Sequence, residues 1–491
     1  MNNTRNIFLL TFSQALNFVL LFIFTPFLAR SLSQNDYGTY SQVILSSEFI
    51  NVVTSLSITQ LVMMFLSKSE YKVENTIKTF LSIAFALSIL ALIINFGLSF
   101  YLPKFFKNDE IQKLMLVFSL NFLGQKLNLV LYQILIKIDK VKQVFIFSFF
   151  TSLLKLSAGV IAIKYYKSIS LLLFVYSLEP IIISIVQLWV LKKENLLNGI
   201  IDKNTVRDFF KLAFPLYIVD ILGTSYLYAS GIFIGIFLNS TEYAIYRNGS
   251  FELPIIGTLH NSISIIYLKD FVKNIELKNY LEVASLKKKI ITNTAVFIFP
   301  IATFFIICNK EFISLYMSSK YISSATIFAI YTTILFIRVQ NYTDILIVLK
   351  KSKYILISFF IFMLSNISLN YILIQNFKII GCAIATAASV YILAFLQLYF
   401  TSKFLKVSIF DYLDLFKLFI IGAVSIITIS IFKLITTYYL NSNLLIFILT
   451  SGLSFPIIYY VLIKKYIDIQ TYRTWFEKIP MFGKIIYKLL N

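Results

Sequence analysis

The sequence predicts an all-α polytopic integral membrane protein with about 14 transmembrane helices in two pseudo-symmetric bundles. Three observations predict it. The 491 residues are 58% hydrophobic and only 14% charged, with a mean hydropathy of +0.82, whereas soluble domains carry about 25% charged residues. Apolar stretches follow one another from end to end, each near the roughly 20 residues that cross a bilayer core. A pattern also recurs about 206 residues apart: Leu32-Ser-Gln-Asn-Asp36-Tyr37-Gly38-Thr-Tyr40 returns as Leu238-Asn-Ser-Thr-Glu242-Tyr243-Ala244-Ile-Tyr246. Each copy lies in a polar gap between two long apolar segments, the layout of helical halves around a central path.

In chain order the expected spans are 6–30, 39–66, 78–102, 111–136, 143–165, 168–191, 209–237, 243–268, 290–308, 323–348, 354–375, 379–401, 412–436 and 443–464. Their ends are good to about three residues. The first is long enough to span and leads through Phe27-Leu-Ala29-Arg30 into the repeated motif, so it is read as a transmembrane helix and not a cleaved signal. The second is rich in Ser and Thr. The fourth carries Asn121, Gln125, Asn128 and Tyr132 on one polar face. Residues Asp202 to Lys211 read as a short surface helix leading into the seventh span, which opens Leu212-Ala-Phe-Pro215. Pro215 and Gly223 give that span a place to bend. The tenth carries Arg338, Asn341 and Asp344 at three-residue steps, read as one helix face. The tail alternates apolar residues such as Trp475, Phe476 and Ile479 with Arg473, Lys478, Lys484 and Lys488, the pattern of an interfacial segment. The expected organisation is an N-terminal bundle (1–191), a cytoplasmic linker (192–208), a C-terminal bundle (209–401), two additional transmembrane helices (402–466) and a basic amphipathic cytoplasmic tail (467–491).

The net charge of +21 is a topology signal more than a nucleic-acid signal. Alternate gaps and the tail hold about 29 basic residues and the opposite gaps about 9. That asymmetry places both termini in the cytoplasm and adds contact with anionic lipid headgroups. No gap exceeds roughly 20 residues, too short for an extramembrane domain. There is no phosphate-binding G-x-x-x-x-G-K-[ST] loop, no H-E-x-x-H and no G-x-S-x-G. His260 is the only histidine, which excludes a histidine metal cluster; a packed, hydrogen-bonded residue is its expected role, with a proton relay as the alternative. Cys308 and Cys382 lie in apolar segments with no C-x-x-C spacing, so neither a disulfide framework nor a metal site is expected. No cofactor is called for.

A charge at mid-membrane costs about 2.5–3.5 kcal/mol, so each needs a reason. Lys126, Lys155 and Arg338 are the deepest cations, and Arg247 lies near the outer mouth of the eighth span. Glu48, Glu179, Asp220, Glu252 and Asp344 are the intramembrane acids. These residues either line a polar path or tie helices together; Lys126 and Lys155 pairing with Glu48 or Glu179 is the structural alternative.

Three segments carry a family resemblance: Ala29-Arg30-Ser-Leu32 through Asp36-Tyr37-Gly38-Thr-Tyr40; Pro215 to Tyr246 with Ile234-Gly235; and Asn366-Ile-Ser-Leu369-Asn370-Tyr371-Ile-Leu-Ile374 followed by Ile380-Gly381-Cys382-Ala383-Ile384-Ala385-Thr386. With these the chain resembles the Wzx-type polysaccharide flippases of the multidrug/oligosaccharidyl-lipid/polysaccharide superfamily over nearly its whole length. It departs at Ala244, where the family often has Gly, at Cys382, which replaces a small residue, and at Ser230, where the family often has an acid. The resemblance implies a MATE-like two-bundle fold in the bacterial cytoplasmic (inner) membrane. It implies a cargo of polyprenyl-pyrophosphate-linked oligosaccharide, moved to the outer leaflet for O-antigen or capsule, with no bond made or broken. A path for such a cargo needs cations for pyrophosphate and amides, hydroxyls or aromatic groups for sugars. The expected substrate-binding residues are Lys126, Lys155, Arg338, Arg247, Gln125, Asn128 and Asn341. Glu48, Asp220, Glu252 and Asp344 are the expected ion-coupling residues, for H⁺ or Na⁺. A polysaccharide polymerase is a further expected partner, alongside membrane lipids. A small-molecule exporter of the same superfamily, and a membrane polymerase or glycosyltransferase, are the alternatives.

Overall fold

The structure, a computed structural model, describes residues 2–224, 226–251 and 267–439. Glu252, His260, the fourteenth expected span and the basic tail lie outside the described residues. The helices in chain order are α1 (Asn2–Ser31), α2 (Gln34–Val53), α3 (Ile58–Leu66), α4 (Val73–Phe106), α5 (Glu110–Phe118), α6 (Asn121–Lys137), α7 (Val141–Lys164), α8 (Ile169–Lys193), α9 (Lys203–Thr224), α10 (Tyr226–Phe237) and α11 (Ser240–Gly249). They continue with α12 (267–276 in its described part), α13 (Tyr280–Ile307), α14 (Asn309–Tyr316), α15 (Ser324–Ile337), α16 (Asp344–Val348), α17 (Ser352–Leu405), α18 (Ile409–Tyr412) and α19 (Leu415–Tyr439).

Among the described residues, six helices are long and apolar enough to cross a membrane, or up to nine if each bent pair is one span. Among the described residues, the expected spans fall on this series, with four of them broken in two. The second is α2 and α3, bent by 42°, and the fourth is α5 and α6, bent by 41°. The seventh is α9 and α10, and the tenth is α15 and α16. Hydropathy reads side chains and is blind to a backbone break. The eleventh and twelfth spans both lie in α17, separated by a kink at Lys378 (φ 50°, ψ −132°). Just past that kink, a Cβ on Gly381 would strike the backbone of Leu373, so only glycine lets the two arms approach.

The chain packs as two compact units. The first comprises Met1–Ser250, Tyr316–Ser324 and Phe359–Ser389. Its two cores are built on Phe65, Phe80, Leu131 and Phe209, and on Val43, Phe106, Met115 and Phe122. The second unit comprises Phe251–Leu315, Ala325–Ser358 and Val390–Asn491. In its described part, Ile291, Ala295, Ile298 and Phe299 of α13 pack with Tyr412 of α18 and Ile421 of α19. Lys433 of α19 ties that helix to α13 and α14, through the Glu311 carboxylate at 2.8 Å and the Ile307 carbonyl at 2.7 Å.

The repeated motif has a physical explanation inside the first unit. In each copy it caps a helix. The Ser33 hydroxyl accepts from the Asp36 N–H at 3.0 Å at the start of α2, and Asn239 accepts from the Glu242 N–H at 2.9 Å at the start of α11. Asp36 and Glu242 then lie in the first turns, where the helix dipole favours an acid. Tyr37 and Tyr243 are buried. The two capped starts meet each other: Asn108 donates to Thr39 Oγ1 (2.8 Å) and Ser240 Oγ (2.9 Å), and Ser240 donates to Gln42 Oε1 (2.8 Å).

Gly38 sits at the closest approach, where a Cβ would strike the Ser240 backbone. Gly38→Ala is therefore expected to destabilise the protein by about 1–3 kcal/mol, because a backbone neighbour cannot rotate away. A thermal melt of the detergent-solubilised protein checks this; an unchanged midpoint would show that α2 and α11 are not in that register.

Candidate functional site

The repeated motif leads into two charged residues of the first unit, Glu48 of α2 and Arg247 of α11. Glu48 lies about 21 Å along α2 from Gln34, and Arg247 about 10 Å along α11 from Ser240. Both side chains are exposed. Arg247 is at the same time within electrostatic reach of Tyr243, Glu48, Tyr37 and Tyr40, and Tyr228 of α10 is within reach of Glu48 and Arg247. The Tyr228 ring stands edge-on to Phe49 at 5.9 Å. Against lipid each such charge would cost about 2.5–3.5 kcal/mol. Among the described residues no contact ion pair joins Glu48 to Arg247, and a guanidinium offers forked donors that match an anion.

Lys126 and Gln125 belong to a different assembly, the break between α2 and α3. Leu56 (φ 44°) and Ser57 (φ 51°) both adopt left-handed backbone there, which frees carbonyls at the end of α2. Buried Lys126 donates to the Asn51 carbonyl at 3.1 Å, and the Tyr217 hydroxyl of α9 donates to the Val53 carbonyl. Asn51 also donates to Gln125 Oε1, which accepts from Asn121 at 2.8 Å. Asp220 of α9 accepts from the Ser57 hydroxyl at 2.6 Å and from Gln60 at 3.5 Å, at the start of α3. A cation thus caps the carbonyl end of one helix and an anion the amide end of the next, the favourable sense of both dipoles. Asn128 is half-buried one turn further along α6.

The remaining candidates separate. Lys155 of α7 pairs with buried Glu179 of α8 at 3.0 Å, so of the structural alternatives this pair forms, while Lys126 contacts neither Glu48 nor Glu179. In the second unit the expected helix face of Arg338, Asn341 and Asp344 does not exist, because 338–343 is non-helical. Arg338 is half-buried just beyond α15. Asn341 turns the chain: its Oδ1 accepts from the Thr343 N–H (3.0 Å) and hydroxyl (2.7 Å). Asp344 is buried and pairs with Lys287 of α13 at 3.4 Å, and Lys287 also donates to the Asn341 carbonyl at 2.6 Å. Lys287 precedes the expected ninth span (290–308) in a Lys-Lys-Lys run; α13 begins earlier than that apolar stretch and carries it inside.

At the Ser230 departure the structure shows a neutral knot. Its hydroxyl meets Asn370 Oδ1 and Thr386 Oγ1, each at 2.9 Å, and Asn370 donates to the Asn366 carbonyl at 2.8 Å. Outside the spans, burial and then the hydrogen bond donated to Asp208 (2.9 Å) push the Tyr71 phenol up to about 12, so it holds the 67–72 connection to α9 as a donor. The Thr205 hydroxyl holds the Asp202 carboxyl below the usual range, with burial opposing it and the backbone N–H groups of Thr205 and Asn204 adding to it. Tyr228, Tyr217, Ser57 and Lys287 were not expected; only Ser57 left a signal, in the Ser/Thr-rich second span.

The family model for polysaccharide biosynthesis proteins matches residues 3–265, more than half of the chain. The chain belongs to the polysaccharide biosynthesis protein family. No curated protein matches it. Among solved structures, this family member is similar to lipid II flippase MurJ in an inward closed conformation, with a TM-score of 0.73 and 17% identity over 93% of this chain and 99% of that one. It is also similar to an inward-facing multidrug resistance MATE family transporter of the MOP superfamily, with a TM-score of 0.61 and 12% identity over 80% of this chain and 94% of that one. This polysaccharide biosynthesis protein therefore has the fold of MOP-superfamily transporters.

Proposed function

We propose that this protein is a flippase. It moves polyprenyl-pyrophosphate-linked oligosaccharide units from the cytoplasmic to the outer leaflet of the bacterial inner membrane, for O-antigen, capsule or a related surface polymer. The observation that carries the reading is the exposed Arg247 of α11, within electrostatic reach of Tyr37, Tyr40, Tyr243 and Glu48. A guanidinium matches a pyrophosphate, and tyrosine faces and hydroxyls match sugar rings. Family membership and a fold shared with a lipid II flippase support it. The protein works by binding and rearrangement, with no covalent step. Glu48 and Asp220 are the groups to which H⁺ or Na⁺ coupling is assigned, and positive-inside charge puts both termini in the cytoplasm.

The test is leaflet accessibility of the lipid-linked oligosaccharide in cells with and without the protein. Complete units accumulating on the cytoplasmic side, reversed by restoring the protein, is the expected result. Complete units reaching the outer leaflet but left unpolymerised would replace this reading with a polymerase. No change in either step would favour the small-molecule exporter.

A further inference from the structure

A nine-residue segment between α14 and α15 is gripped by the first unit in a way that the cargo site does not require. Tyr316–Ser324 packs within that unit, yet its ends continue directly into Leu315 and Ala325 of the second. The grip is reciprocal. Arg30, at the end of α1, donates to the carbonyls of Met317 (3.1 Å) and Tyr316 (3.3 Å). Lys320 donates back to the carbonyls of Arg30 (3.2 Å) and Leu32 (2.6 Å). Gln34, in the first turn of α2, donates to the Lys320 carbonyl at 2.6 Å. The Tyr316 hydroxyl donates to the Phe22 carbonyl at 2.7 Å, with its ring stacked on Phe22 at 4.4 Å, and Tyr321 stands edge-on to Tyr37 at 6.0 Å.

Most of these bonds end on backbone carbonyls, which are present whatever side chain the segment carries. They recognise the path of the chain. Arg30 and Lys320 are also the ends of their own arms: each cation satisfies carbonyls that a helix end and a turn leave open. Such an arrangement holds strongly while aligned and is lost as a whole when the segment shifts by a few ångströms, because hydrogen bonds weaken steeply with angle and distance.

We infer that Tyr316–Ser324 is a strap clamped by Arg30, Gln34 and Lys320, and that it must release from α1 and α2 for each transport cycle. The inference rests on the transporter reading above, and on the charge pattern that puts the α1–α2 and α14–α15 connections on the outer side. It makes Arg30 and Lys320 gating residues and not cargo ligands.

The experiment uses the full-length protein in membranes, with Cys308 and Cys382 replaced by Ser. Gln34→Cys and Lys320→Cys are joined by a short bifunctional thiol reagent that a reductant cleaves. Cross-linking is expected to stop flipping of lipid-linked oligosaccharide, and reduction to restore it. A cross-linked protein that flips at the reduced rate overturns the strap, as does failure of the two cysteines to join. A second measurement does not depend on the cargo. With a single cysteine at buried Ser41 of α2, Arg30→Gln with Lys320→Met is expected to raise labelling by an impermeant maleimide from outside several-fold. Unchanged labelling overturns the strap. Increased labelling in a protein whose reduced form flips no lipid-linked sugar supports the strap and overturns the cargo reading instead.

Discussion

Replacing Arg247 by Gln is expected to lower flipping of lipid-linked oligosaccharide roughly a hundredfold. The reasoning is electrostatic. A hydrogen bond to a charged partner contributes about 1.5–3 kcal/mol, and a forked guanidinium makes two to one pyrophosphate. Losing about 3 kcal/mol is a factor of roughly 100 in an equilibrium or rate. Arg247→Lys keeps the charge and loses the fork, so a loss nearer tenfold is expected. Protein level and melting temperature should hold in both variants, because the Arg247 side chain is exposed and makes no contact ion pair with Glu48. The measurement is the rate at which complete units become accessible outside, normalised to protein in the membrane. A normal rate in Arg247→Gln would remove this residue from the cargo site.

The second large effect concerns the pair that the sequence concealed. Lys287→Met is expected to destabilise the protein by about 3 kcal/mol, since Asp344 would remain buried with this cation gone. The double change Lys287→Met with Asp344→Leu is expected to recover most of the loss, because two apolar side chains remove both desolvation penalties. Thermal unfolding in detergent reads the stability, and flipping is measured on the same samples. Recovery of stability and flipping together identifies a structural pair. Recovery of stability alone would place Lys287 or Asp344 on the transport path.

The contrast between these two sites shows what a linear sequence carries. Arg247 is readable in the sequence as a cation near the outer mouth of the eighth span, and beside it the repeated motif's caps, Ser33 and Asn239, follow from local chemistry. Gly38 likewise marks a close approach through residue size alone. Lys287 was not legible. Its partner is 57 residues away, and neighbouring lysines gave it the look of a polar gap. Lys126 was legible as a deep cation, but its partner is the Asn51 carbonyl, which no side-chain pattern announces. The face proposed for Arg338, Asn341 and Asp344 failed for a related reason: a three-residue step implies a shared face only if the helix is continuous.

That same discontinuity, in the second span, has a mechanical consequence. With its freed carbonyls capped by Lys126 and Tyr217, the span is two rods with a joint. The first rod, α2, is pinned to α11 through Gly38, Ser240 and Asn108. The second rod, α3, is nine residues long, about 13 Å, and leaves the joint at 42°. Straightening would carry its far end through about 9 Å while the first rod stayed in place. The two ends of one span are thereby mechanically decoupled, so the α3 end can be repositioned without disturbing the seam formed by the two repeats.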